Sequence, residues 1–220
     1  MKQQKGFTLV EMAIVLVIIG LLLGGVLKGQ ELIESSRIKN AANDINGVIA
    51  AYNGYVDRFR AVPGDDGDAN IALRGTAWTN ALASATSDGR LDAVNPFGGA
   101  ADESTQFWVH VRAAGFISGN SLLTGAAALP TNAFSGLIGV TGALLGATAA
   151  TQIAAGVPKV CLSGVPGKSA RALDVAMDDG VAATGIMRGF DGPAPLNPVG
   201  ATEDALNYSD NRQYTICRTM

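Results

Sequence analysis

From Phe7 to Leu27 the chain reads FTLVEMAIVLVIIGLLLGGVL, and the only charged side chain in that run is Glu11. About twenty such residues wound as a helix reach roughly 30 Å, enough to cross the hydrocarbon core of a bilayer. Lys2 and Lys5 precede the run, which keeps the start cytoplasmic and sends the rest outside. An ordinary secretory signal has a shorter apolar core followed by a small-x-small cleavage site. Here Lys28-Gly29-Gln30-Glu31 follows instead. A plain signal anchor accounts for everything except the Lys5-Gly6-Phe7 junction and the acid inside the run. An ionisable group at membrane depth is a functional hypothesis by default; the bland reading is that Glu11 snorkels to the headgroups.

The stretch KGFTLVEMAIVLVIIGLLL resembles the N-terminal signature of type IV pilins and of the pseudopilins of type II secretion systems. That resemblance implies a leader, residues 1–6, cut between Gly6 and Phe7 by a membrane-embedded prepilin peptidase. It implies N-methylation of Phe7, and it makes Glu11, the fifth residue after the cut, the family hallmark. The chemistry of such a cut is direct. It frees an α-amine on Phe7 with a pKa near roughly 8, largely cationic at neutral pH. When helices stack side by side, that ammonium can meet the Glu11 carboxylate of a neighbour. Neither charge tolerates hydrocarbon alone, whereas the pair does. Many pilins carry a proline about twenty residues after the cut. This chain has Gly20, Gly24, Gly25 and Gly29 there instead. Each glycine costs about 1 kcal/mol in a helix interior, which favours bending or melting on assembly; close helix packing by small residues is the alternative.

The helical pattern continues past the membrane run. Ile38, Ala42, Ile45, Ile49, Tyr52, Val56 and Phe59 recur at steps of four and three, an apolar stripe with Lys39, Asn43, Asn46, Asn53 and Asp57 off it. Pro63 and Gly64 end it. One helix from about Phe7 to Phe59 is therefore expected: residues 7–30 as membrane span and filament core, 31–60 as an amphipathic continuation packed on a globular domain. A separate coiled coil is the competing reading, though the heptads are few.

Residues 61–220 shift to Gly, Ala, Asp, Asn and Pro. RAVPGDDGDAN reads as a loop. A short helix is predicted from Asp102 to Ala114, capped by Asp102, facing inward with Phe107, Trp108 and Val111, and stopped by Gly115. A second is predicted from Gly167 to Met177, with Ala170, Leu173 and Met177 inward. Short strands are predicted around Leu137–Val140, Lys159–Leu162, Gly185–Arg188 and Tyr214–Cys217. The uncharged region 113–158 is interrupted too often by Gly, Ser, Thr and Asn to be a second span. The fold class that results is α+β: a long N-terminal helix on a small, Gly-rich, mainly antiparallel sheet. YVDRFRAVPGDDGDAN, ESTQFWVHVRAAGFISG and ARALDVAMDDGVAATG add a looser similarity to pilin-like proteins with a Pro-Gly-Asp loop and an Asp-Asp-Gly turn.

Cys161 and Cys217 are the only cysteines. In an exported domain one pair reads as one disulfide, stapling the last strand to the sheet, whereas a cytosolic protein would keep two buried thiols. With a single histidine they do not make a structural zinc site. Asp65, Asp66 and Asp68 lie in one loop, and Asp174, Asp178 and Asp179 in another. Oxygen-rich loops suit calcium, and some pseudopilins of this resemblance bind it. Neither loop has the ligand spacing of an EF-hand, and Asp with Gly is ordinary turn chemistry, so turns are the first reading and no cofactor is required. His110 has no nucleophile-elbow motif beside it and is expected to be solvated or at a core edge.

The net charge is −3, with charges scattered and no basic patch, so no nucleic-acid partner is expected. GxxxxGK[ST] is absent, so the chain is not expected to power its own assembly; the pilin resemblance implies an assembly ATPase and a platform protein in trans. The expected function is structural and not enzymatic: a subunit anchored in the inner membrane, its C-terminal domain periplasmic, that polymerises with its own copies into a type IV pilus-like filament. Two other readings stand beside it, a periplasmic pseudopilin of a type II secretion system and, from another class, a membrane-anchored binding or enzyme domain.

Overall fold

A computed structural model describes residues 8–98, 102–146, 152–191 and 207–220. The chain divides into two compact units, Met1–Arg37 and Ile38–Met220. Helix α1 spans Leu9–Phe59, 51 residues. Within the first unit its apolar side chains cover no core: Leu9 is 86% exposed and Leu21 74%. Among the described residues α1 is the one helix long and apolar enough to cross a membrane. It passes Gly20, Gly24, Gly25 and Gly29 without interruption.

The second unit is α+β, as expected. Helix α2 spans Glu103–Ala113 and α3 Gly167–Met177. Strands β1 (Ile138–Thr141), β2 (Lys159–Pro166), β3 (Met187–Asp191) and β4 (Gln213–Thr219) form one antiparallel sheet in the order β1-β2-β4-β3. The last described strand, β4, therefore lies between β2 and β3. A bulge between Leu162 and Val165 in β2, with Gly164 at φ 68°, shifts the β2–β4 register.

Local chemistry explains the helix ends. Asp102 caps α2 by accepting the Thr105 N–H at 3.1 Å. At the other end Gly115, at φ 81°, donates to the Arg112 carbonyl, and Phe116 N–H reaches back to Val111. That pair of bonds is a Schellman motif, and the left-handed position is why a glycine stands there.

The core lies between α1, α2 and one face of the sheet: Ile45, Val48, Phe107, Trp108, Val160, Leu162 and Ile216 are all buried. Alternation along the strands sends Cys161 and Cys217 to the other face, where they pack with Phe97, Leu145, Ile153 and Phe190. Both faces of the sheet are thus covered.

The stripe expected on α1 is rotated in the structure. Ala41, Ile45, Val48, Ala51 and Tyr55 are the fully buried positions, while Ile38, Ala42, Ile49, Tyr52 and Phe59 flank them half-buried. Small residues decide this. The domain closes on the side where the backbone is most accessible: a Cβ on Gly54 would sit 2.8 Å from the Phe116 ring. Hydrophobicity alone favours Ile and Val, but close packing favours the side bearing Ala and Gly.

Candidate functional site

Gly6 and Phe7, the expected processing residues, lie outside the described residues. The first described turn is informative nonetheless. Thr8 N–H donates to Glu11 Oε2 at 2.7 Å, and Thr8 Oγ1 donates to the same oxygen at 2.8 Å. Glu11 N–H in turn donates to Thr8 Oγ1 at 3.3 Å. This reciprocal arrangement is a capping box, Thr-x-x-Glu, which satisfies donors the helix start leaves open. The signal is present in the sequence as TLVE, beside the membrane depth and the hallmark position of Glu11. Only one carboxylate oxygen is used by the cap, so the charge can meet a second partner. The side chains that follow, Met12 through Leu27, lie on the surface of the unit.

Cys161 and Cys217 form a disulfide. They face each other directly in the β2–β4 register with Cα atoms 4.0 Å apart, and both are fully buried.

The two acidic loops behave differently. Asp65, Asp66 and Asp68 do not converge. Asp66 is buried and accepts from Tyr55 Oη at 2.7 Å, Arg74 Nη1 at 2.8 Å and Asp68 N–H at 3.0 Å. Burial works to raise its pKa, but these donors outweigh it and hold the carboxyl below the usual range. Asp68 takes the other guanidinium nitrogen of Arg74 at 2.9 Å. Asp65 accepts from Gly89 N–H at 2.6 Å. The loop after α1 is thereby clipped to the helix and to two later turns.

Asp174, Asp178 and Asp179 do come together, with one oxygen of each within 4.8 Å of the others. Their oxygens close the turn after α3. Asp174 accepts from Tyr208 Oη at 2.6 Å and Gly180 N–H at 3.1 Å. Asp178 accepts Met187 N–H at 2.8 Å, and Asp179 accepts Val181 N–H at 2.9 Å. Turns are the first reading of this loop in the sequence and calcium the second; the bonds seen are those of a turn.

His110 corrects its expectation: it is fully buried, neither solvated nor at an edge. Its Nδ1 accepts Gly64 N–H at 2.9 Å and its Nε2 contacts Leu82 O at 3.1 Å, so Nε2 carries the proton. Both nitrogens serve backbone groups far away in sequence, which pins the loop after α1 to α2. Burial pushes its pKa down to about 4, against the pull of Asp66. Between that value and the ordinary 6.5 the unfolded chain binds a proton that the folded chain does not, so stability falls as pH falls through this window. The size is about 3 kcal/mol at full effect. His110→Gln is expected to lose this part of the acid sensitivity. Thermal unfolding of the full chain in detergent from pH 7 to 4 checks it; parallel curves for both proteins contradict it.

Residues 1–27 match the family model of the prokaryotic N-terminal methylation motif, the type IV pilin and pseudopilin signature. A search among curated proteins finds no match. The motif, followed by an uncovered apolar helix, fits a membrane-anchored precursor and a structural subunit of pilin or pseudopilin type.

Proposed function

We propose that the chain is cleaved between Gly6 and Phe7 by prepilin peptidase, methylated on Phe7, and polymerised with copies of itself into a type IV pilus-like filament. One observation carries the reading: the methylation motif runs directly into a helix whose apolar side chains, Leu9 to Leu27, are exposed within the first unit. The precursor satisfies them with lipid, and a filament would satisfy them with neighbouring copies. Gly20, Gly24, Gly25 and Gly29 leave open space at every Cβ position, so an adjacent helix can approach closely there. In this reading the second unit coats the filament, and an ATPase and platform protein act in trans.

Intact-mass and N-terminal analysis of the chain in a strain with active prepilin peptidase tests the processing. The mature protein is expected to begin at methylated Phe7. An uncut chain beginning at Met1 would return the head to a simple anchor. Imaging of sheared surface material separates a pilus from a short periplasmic pseudopilus.

A further inference from the structure

Along one side of α1, in the second unit, a cleft of about 400 Å³ is lined by Asp44, Val48, Trp108, Phe116, Ile117 and Ile138 among others. Its walls are mixed: Val48, Trp108, Phe116, Ile117 and Ile138 are apolar, and Asn43, Ser118 and Thr131 bring polar groups. Asp44 is half-buried there, and its carboxylate makes no hydrogen bond or ion pair with any described residue. Burial alone acts on it and raises its pKa. Gly47, one turn along, leaves open space where a side chain would stand. A carboxylate partly withdrawn from water in such a cleft, with no cation, is an unfavourable arrangement for an isolated subunit. The other half-buried acids of this unit differ: Glu103 accepts from Ser84, Thr86 and Asp92. Five residues before Asp44 on the same helix, Lys39 is exposed and has no partner among the described residues.

We propose that the Asp44 cleft receives Lys39 of a neighbouring copy of this chain when subunits assemble. The proposal rests on the filament reading above. Pairing Phe7 of one copy with Glu11 of the next staggers adjacent α1 helices by four residues. The same stagger carried along α1 sets residue 40 of the first copy level with Asp44 of the second. Lys39 is one residue away, about 1.5 Å along the axis. Its flexible four-carbon stem lets the ammonium reach the cleft while its methylenes lie on the apolar side chains there. Desolvated on both sides, the ion pair is worth more than an exposed one, and it fixes the same register as the pair at the N-terminus. Arg37 lies about two residues further off level and is the competing donor.

Two differently tagged full-length copies, one Lys39→Cys and the other Asp44→Cys, are co-expressed with the assembly machinery, and the filaments are treated with a short bismaleimide whose span replaces the lysine stem, because a direct disulfide needs Cα atoms within about 7 Å. The native cysteines are already paired, so only the introduced thiols react. A mixed-tag dimer is expected, and none when either variant is combined with wild type. In separate strains Asp44→Lys is expected to lose filaments and Lys39→Asp/Asp44→Lys to regain them. Asp44→Asn keeps the Tm of the detergent-solubilised chain, which separates docking from folding. Cross-linking from Arg37→Cys in place of Lys39→Cys overturns the assignment. Wild-type filaments that depend on Glu11 but yield no mixed dimer overturn this proposal and leave the filament reading standing. No filaments from wild type overturn both.

Discussion

Glu11→Ala is expected to abolish filaments while leaving the chain inserted in the membrane. Insertion rests on the apolar run as a whole, and removing an acid from it only favours transfer into lipid. Assembly is different. In the subunit one oxygen of Glu11 is held by Thr8, and no described residue brings a countercharge to it. Bringing many helices together in a water-free filament core multiplies that penalty unless each carboxylate meets a cation. In the proposed mature filament the ammonium on Phe7 of a neighbouring copy would supply that cation. The capping box offers a rival explanation, since alanine also removes a helix cap worth about 1 kcal/mol. Glu11→Gln separates the two, because glutamine completes a capping box but carries no charge. Loss of filaments in both variants, with membrane fractionation unchanged, supports the ion pair. Normal filaments from Glu11→Gln would assign Glu11 to capping and remove the charge argument.

Much of this architecture is written in local signals. The α2 cap at Asp102 and its glycine stop, the whole of α3, and the four strands are read from residues within a few positions of each other, and the structure places them within a few residues of expectation. What escapes the sequence depends on partners far along the chain. His110 is buried because Gly64 and Leu82, 46 and 28 residues away, bring it two backbone bonds. Lys159 is fully buried because its ammonium donates to the carbonyls of Ala143, Ala154 and Val157 at 2.6–2.9 Å, and no periodicity signals such a cradle. The buried face of α1 turned by about one residue for a similar reason: what packs on it, Phe116 against Gly54, is set by the end of another helix. At the N-terminus the opposite happened. The capping box is fully local, TLVE, and it coincides with the acid in the apolar run, so one residue carries both signals.

Removing the disulfide is expected to cost about 4 kcal/mol, the chain-entropy value for cross-linking residues separated by 56 positions. The sheet order makes this staple matter beyond its own loop. Among the described residues β4 is the one strand that pairs with β3 and one of two that pair with β2. If β4 detaches, β3 loses its entire ladder, and the cluster of Phe97, Leu145, Ile153 and Phe190 opens with it. Cys161→Ala/Cys217→Ala leaves no unpaired hydroxyl or thiol in that cluster, so its loss reports the cross-link plus a small cavity. For a unit of this size the Tm of the full chain in detergent is expected to fall by about 10 °C. Wild type unfolded and refolded under strong reductant provides the second arm, because its side-chain volume is unchanged. A fall of less than about 2 °C in both arms would mean that the ladder and the core hold β4 without the bond. A fall in the alanine variant alone would assign the effect to the cavity instead.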